Sequence, residues 1–299
     1  MAQDAGFHAL WISDHFHPWN EAQGQSGFVW GTVGALSQAV DLPITTAVTC
    51  PTVRLHPAIV AQAAATPAVQ TGGRFALGVG SGEALNEHIL GDRWPASAKV
   101  RLDMLEEAVE VIRKLWTGER VTHHGKHYTV EGARIYTLPD TPPPIFVSGF
   151  GPRSALLAGR IGDGYVSVFP EAELVETFRG AGGEGKPTQG GFKVCWSRDR
   201  EVAEKNAARL WSTELVPGEL AQVLPQPAHF EQAASLIPER AVADHFVCGD
   251  DPQEHIDRLA SYFDAGFDEV FVNQIGPEQS GFFDFYAQHV LPMVEAPTD

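Results

Sequence analysis

The segment Ser13-Asp14-His15-Phe16-His17-Pro18-Trp19 places an acid, a base and an aromatic directly after the apolar run Leu10-Trp11-Ile12. Histidine exchanges protons near neutral pH more readily than any other side chain, and a neighbouring carboxylate can orient it or meet a cofactor. A structural loop capped by Asp14 is the alternative. His15 and His17 also form an HxH pair of the kind that supplies two metal ligands. Such a site needs more His or Asp at later strand ends, and Ile145 to Ser148, Tyr165 to Phe169 and Val270 to Asn273 provide none, so no metal is expected. A second constellation, Leu77-Gly78-Val79-Gly80-Ser81-Gly82-Glu83-Ala84-Leu85-Asn86-Glu87, runs an apolar segment into a glycine-rich turn that ends in carboxylates. Glycines let backbone approach a flat ring, and a partly desolvated Glu83 could serve as an acid; a tight turn with a solvated Glu83 is the simpler reading. In the third, Ser148-Gly149-Phe150-Gly151-Pro152-Arg153-Ser154, a strand enters a helix whose free N–H groups suit phosphate, with Arg153 adding charge. Gly-Pro helix entries also occur without a ligand.

Other polar clusters read as structural. His123-His124-Gly125-Lys126-His127 lies between Val121-Thr122 and Tyr128-Thr129-Val130, which fits a hairpin turned at Gly125-Lys126 with solvated histidines. Arg54-Leu55-His56-Pro57 reads as loop packing before a helix, and the carboxylates beyond Asp14 and Glu83 read mostly as helix-surface residues.

The elements that must carry these residues announce themselves by repetition. Asp4-Ala5-Gly6-Phe7 and Asp264-Ala265-Gly266-Phe267 each precede a short apolar run, as a helix end entering a buried strand would. Further strands are expected at Ile44 to Val48, Arg74 to Val79, Ile145 to Ser148, Tyr165 to Phe169, Phe192 to Trp196 and His245 to Val247. Between them, Leu102, Leu105, Val109, Ile112 and Trp116 make one helical stripe, and Asp251-Pro252 opens another helix. A mobile loop is expected at Gly180 to Gly191, and Pro217 to Pro238 reads as an insertion over the barrel mouth. Alternating strands and helices without a GxGxxG turn after the first strand favour a closed (β/α) TIM-type barrel over an open doubly wound sheet. Loops at the strands' C-terminal ends then build the site. The chain opens on what reads as the last turn of a helix, so the barrel is expected to lack its first strand-helix unit.

With 299 residues, 43% of them hydrophobic, the chain can bury one large core, and a single barrel domain over 1–299 with insertions near 120–140 and 215–240 is expected. A net charge of -17 argues against nucleic-acid and anionic-membrane partners and for a small-molecule substrate. Cys50, Cys195 and Cys248 form neither a zinc spacing nor a disulfide framework. With no leader or membrane-spanning stretch in sight, a cytoplasmic enzyme is expected.

Taken together, Ser13 to Trp19, Thr45-Thr46-Ala47-Val48-Thr49-Cys50-Pro51 and Gly78 to Glu87 resemble the luciferase-like superfamily, within it the deazaflavin (coenzyme F420)-dependent glucose-6-phosphate dehydrogenase group. Ile135-Tyr136 with Pro139, Ala158-Gly159-Arg160 and Gly162-Asp163-Gly164 extend the resemblance over nearly the whole chain. It implies that Asp14, Ala47, Val48, Cys50, Gly80, Ser81, Gly82 and Asn86 surround the cofactor ring, with a non-proline cis peptide at Ala47-Val48. Ser148, Gly149, Phe150 and Gly151 would hold its phosphate arm. His15 would take the hydroxyl proton while hydride leaves the same carbon, Trp19 would orient the substrate, and Glu83 would act as the acid. Where the group holds a sugar phosphate with two lysines and an arginine, this sequence has Pro170 or Glu171, Gln232 and His245. An uncharged alcohol, lactol or aldehyde is the better expectation. An FMN-dependent luciferase-like monooxygenase or reductase, a non-catalytic flavin-binding barrel and a metal hydrolase are the competing readings. Relatives of this kind usually form homodimers.

Overall fold

The Asp-Ala-Gly-Phe repeat marks the same local event twice. Gly6 and Gly266 take φ angles of 92° and 93°, the left-handed region where a Cβ is strained, and the chain turns into the first and last barrel strands. In the computed structural model, which describes residues 1–91 and 93–294, the strands are β1 (Leu10–Ile12), β2 (Ile44–Thr46), β3 (Phe75–Val79), β4 (Val121–His124), β5 (Thr129–Ala133), β6 (Ile145–Ser148), β7 (Gly164–Ser167), β8 (Thr188–Cys195), β9 (Val247–Cys248) and β10 (Glu269–Gln274). The parallel order is β1-β2-β3-β6-β7-β8-β10, with β9 paired to the end of β8. This makes a nearly closed TIM-type barrel.

The seam lies between β1 and β10. Trp11 of β1 stacks on Phe271 of β10 across it, with ring centroids 4.4 Å apart and planes 10° from parallel. Its Nε1 donates to Gln189 Oε1 at 2.9 Å, so this indole fills the barrel interior where two strands do not meet.

Helices wrap the barrel: α1 (Val29–Ala39), α2 (Pro57–Gln70), α3 (Ala84–Glu87), α4 (Ala98–Leu115), α5 (Pro152–Ile161), α6 (Ala172–Phe178), α7 (Arg200–Trp211), α8 (Gly218–Val223), α9 (Pro227–Ala234), α10 (Glu239–His245), α11 (Pro252–Asp264) and α12 (Gln279–Phe285). The stripe expected from Val100 onward is α4, whose Leu105, Val109 and Ile112 are buried. Just beyond its end, Trp116 is also buried, and its indole donates to Ala61 O at 2.8 Å, fastening α4 to α2. Helix starts follow their caps: Asp199 accepts from Glu201 N at 2.9 Å, Asp251 from Gln253 N at 3.0 Å, and Pro57, Pro152, Pro227 and Pro252 occupy first turns.

Several local expectations need correction. Gly180 to Gly191 is not a long loop: Arg179–Gly183 is a π-turn, and β8 begins at Thr188, four residues before the expected Phe192. Its glycines are there for space, since a Cβ on Gly190 would run into Tyr262 and one on Gly191 into Trp11. His245 ends α10 rather than starting a strand. The hairpin β4–β5 forms as expected, yet His123 is not solvated: its Nε2 lies 3.2 Å from Glu107 Oε1, with both side chains about nine-tenths buried.

Candidate active site

Three loops at the C-terminal ends of β1, β2 and β3 meet through one buried cation. Arg54 Nη2 donates to Asp14 Oδ1 at 2.7 Å, and its Nε lies 3.7 Å from Glu87 Oε1. The side chains of Asp14 and Glu87 are fully buried. Asp14 Oδ2 accepts from Thr49 Oγ1 at 3.0 Å, and Glu87 Oε2 accepts from the N–H groups of Val53 at 3.2 Å and Arg54 at 2.6 Å. One cation thus serves two carboxylates out of water. Burial pushes the Glu87 carboxyl up to about 7, against the lowering effect of Arg54.

Above this network β2 is interrupted. The Ala47-Val48 peptide is cis, as the resemblance implied, and the strand resumes where Thr49 N donates to Gly78 O at 2.9 Å and Gly80 N to Thr49 O at 3.0 Å. Any Cβ on Gly78 would collide with Thr46 O, and one on Gly80 would sit 2.7 Å from Val48 Cγ2, so these glycines make room for the bulge. Gly82, with φ 79°, passes over Cys50, whose thiol is pushed well up by burial.

His15 stands at the rim of this floor. Asn86 Oδ1 accepts from Phe16 N at 2.7 Å and His17 N at 3.1 Å, which fixes the amide so that Nδ2 faces His15 Nδ1 at 2.8 Å. The same Nδ2 donates to Glu83 Oε1. Because Nδ1 accepts from Asn86, the neutral imidazole carries its proton on Nε2, which has no hydrogen-bond partner among the described residues. Burial lowers the His15 pKa, partly offset by Glu83 and Asp14. Trp19 leans on His15 with ring centroids 5.2 Å apart, and Phe230 of α9 meets Trp19 edge-on at 5.1 Å. His17 turns away to Leu85 O at 2.9 Å, so the two histidines of the HxH pair serve different neighbours.

The glycine turn after β6 enters α5. Ser154 Oγ and the Gly151 backbone close its first turn, at 3.2 Å and 2.9 Å. A Cβ on Gly149 would lie 2.9 Å from Ala155 N, so only glycine lets the backbone approach the helix start this closely.

A cavity of about 2590 Å³ opens at the mouth and continues down the β1/β10 seam. The chemical candidates His15, Trp19 and Glu83 line it, as do the ring candidates Asp14, Ala47, Val48, Cys50, Gly80, Ser81, Gly82 and Asn86 and the phosphate-arm candidates Ser148, Gly149, Phe150 and Gly151. The floor suits a flat ring: glycine backbone below, a half-buried histidine at one edge, and an N–H-rich helix start at the other. Of the residues the resemblance sets where that group holds a sugar phosphate, Pro170 and His245 line the cavity, and Glu171 and Gln232 are exposed. Across the mouth, α8 is tied down by Arg101 Nη2, which donates to Gln222 Oε1 at 2.6 Å, and Val216 and Ala221 close the wall near Trp19.

Arg54 and Glu87 correct the sequence reading, which left them as loop packing and helix surface. Glu87 does follow Glu83 by one helical turn, but that spacing reveals burial only when α3 is known to dock under Arg54. Lys193 and Glu214, a pair on the opposite wall, carried no motif at all.

Comparisons with known proteins identify the family. The sequence pattern of luciferase-like monooxygenases matches residues 1–269. The chain is 36% identical to an F420-dependent glucose-6-phosphate dehydrogenase of Nakamurella multipartita, covering 99% of this chain and 90% of that protein. It is 37% identical to an F420-dependent hydroxymycolic acid dehydrogenase of Mycobacterium tuberculosis, covering 97% and 81%. Among solved structures, an F420-dependent secondary alcohol dehydrogenase in complex with an F420-acetone adduct superposes with a TM-score of 0.89 at 32% identity, covering 98% of this chain and 92% of that one. The chain belongs to the luciferase-like monooxygenase family.

Proposed function

We propose that this protein is a deazaflavin-dependent dehydrogenase that oxidises an uncharged alcohol or lactol to the carbonyl, or runs the reverse reduction. One observation carries the reading: His15, Trp19, Glu83 and Asn86 converge on one cavity above a glycine floor that a flat ring fits. Relatives named as F420-dependent, at 32–37% identity over nearly the full chain, support the choice of cofactor.

When bound, the deazaflavin supplies an acceptor for the hydride that leaves the alcohol carbon with both bonding electrons. Gly80, Ser81 and Gly82 with Ala47 and Val48 would flank the ring, and Ser148 to Gly151 with the start of α5 would hold its phosphate. His15 Nε2 would face the substrate oxygen. In the resting tautomer it would donate a hydrogen bond there; to take the hydroxyl proton at Nε2, the ring would first release its Nε2 proton to solvent and take one up at Nδ1, giving up the Asn86 contact while Asn86 Nδ2 keeps its bond to Glu83. Trp19, braced by Phe230, limits the angle at which the alcohol carbon meets the ring.

Pro170 or Glu171, Gln232 and His245 offer a substrate phosphate no permanent cation, so glucose 6-phosphate is a poor substrate in this reading. Titrating the purified protein with F420 and with FMN, each followed by its fluorescence, tests the cofactor assignment. Tight uptake of F420 and weak uptake of FMN is expected; the reverse would make this a flavin enzyme.

A further inference from the structure

The interior row of β8 carries a lysine near its C-terminal end. Gln189 bonds Trp11 and Glu269, and Gly191 faces Trp11, whereas Gly190 and Phe192 face Tyr262 outside the barrel. Side chains alternate along a strand, so Lys193 points inward at the mouth, in register with Asn273 of β10. It lines the same cavity as His15. Its ammonium lies 2.6 Å from Glu214 Oε2 and 4.7 Å from the ring centroid of Trp211, with the lysine and glutamate side chains 18% and 25% exposed. Trp211 ends α7 and Glu214 follows it, so a single strand-helix unit supplies both the interior cation and the groups that occupy it.

A lysine without such a partner at this position would anchor a substrate phosphate or carboxylate. Here an incoming anion must displace the Glu214 carboxylate from a partly exposed ion pair to reach Lys193.

We propose that Glu214 is a specificity-determining residue: by pairing with Lys193 it closes the barrel's interior cation to anionic substrates and reserves the mouth for uncharged alcohols. This rests on the dehydrogenase reading above. Glu214 lies on the wall opposite the Asp14–Arg54–Glu87 floor, and its role is to select rather than to move protons or hydride.

The test uses the F420-loaded protein oxidising propan-2-ol, with inorganic phosphate and glucose 6-phosphate as competitors. Glu214→Gln should tighten competition by both anions about tenfold or more, the scale of one unmasked charge-assisted contact. The double variant Lys193→Met/Glu214→Gln should return it to the starting level. Unchanged competition in Glu214→Gln with the melting temperature and F420 affinity retained, or a gain that survives removal of Lys193, would overturn the proposal. Should Glu214→Gln fold poorly, Glu214→Ser gives the same comparison. If the protein takes up no F420, the dehydrogenase reading fails by itself. Calorimetric phosphate binding to Glu214→Gln against the double variant then still decides the role of Glu214: tighter binding in the single variant supports it, and equal binding overturns it.

Discussion

The two walls of the mouth are built on different principles. The wall after β1, β2 and β3 is cross-tied by a buried cation shared between two fully buried carboxylates, and its glycines have no room for a Cβ. The wall after β8 is made by α8, α9 and the Lys193–Glu214 pair, which keeps partial exposure and reaches its neighbours through single contacts such as Arg101 to Gln222. In the proposed reading, chemistry that needs fixed geometry would sit on the first, and selection among substrates on the second. A barrel can therefore change what it accepts without disturbing how it reacts.

The sharpest way to break this division is at His15. His15→Ala should lower turnover about 10²- to 10⁴-fold, the range of a lost acid-base group, while F420 affinity stays within a few fold. Equal losses of turnover and affinity in steady-state and fluorescence measurements would show that His15 holds the ring rather than the proton.

Next is Arg54. Arg54→Met strands Asp14 and Glu87 without their cation and should destabilise the fold by about 3–5 kcal/mol, read in urea unfolding. A Lys193→Met change, on the open wall, should cost about 1 kcal/mol or less, as partly exposed pairs do. Similar losses for the two variants would erase the contrast between the walls.

Glu87 sharpens the comparison through pH. Burial raises its carboxyl from 4.5 to about 7 in the folded protein, so the protonated form is favoured by folding. The stability this contributes is fully present below pH 4.5 and is lost as pH rises through about 7, a change of about 3 kcal/mol from this group. Glu87→Gln should flatten that segment of the stability curve, followed by chemical unfolding across the range; an unchanged slope would assign the pH dependence elsewhere.

Asn86→Asp gives the smallest shift and tests the tautomer. A carboxylate beside Nδ1 accepts the proton that the amide cannot, so the apparent pKa of His15 in the pH–rate profile should rise. No movement would mean that Asn86 does not set the protonation of His15.

Much of the first wall was legible in the sequence because its residues are contiguous. Asp14, His15 and Trp19 lie within one loop, Gly80 to Asn86 within the turn and short helix after β3, and the Asp-Ala-Gly-Phe repeat marks two strand entrances. The barrel followed from the alternation of short apolar runs with amphipathic stripes such as that of α4. What escaped was whatever depends on tertiary approach. Arg54 precedes a helix like any loop cation, and Glu87 shares a short helix with Glu83, so neither shows that it meets the other underground. The start of β8 was missed for a related reason: Gly190 and Gly191 read as loop residues, and only Tyr262 and Trp11 explain why nothing larger fits. Lys193 and Glu214 are 21 positions apart, too distant for any spacing rule to join them.

The most direct test of the central claim follows the hydride itself. An uncharged secondary alcohol that the protein oxidises, deuterated at its carbinol carbon, is incubated anaerobically with the protein and F420, and the reduced cofactor is examined by mass spectrometry. The account predicts reduced F420 carrying one deuterium, with the carbonyl product formed in equal amount. Reduction without deuterium, or turnover that requires FMN and oxygen, would contradict it.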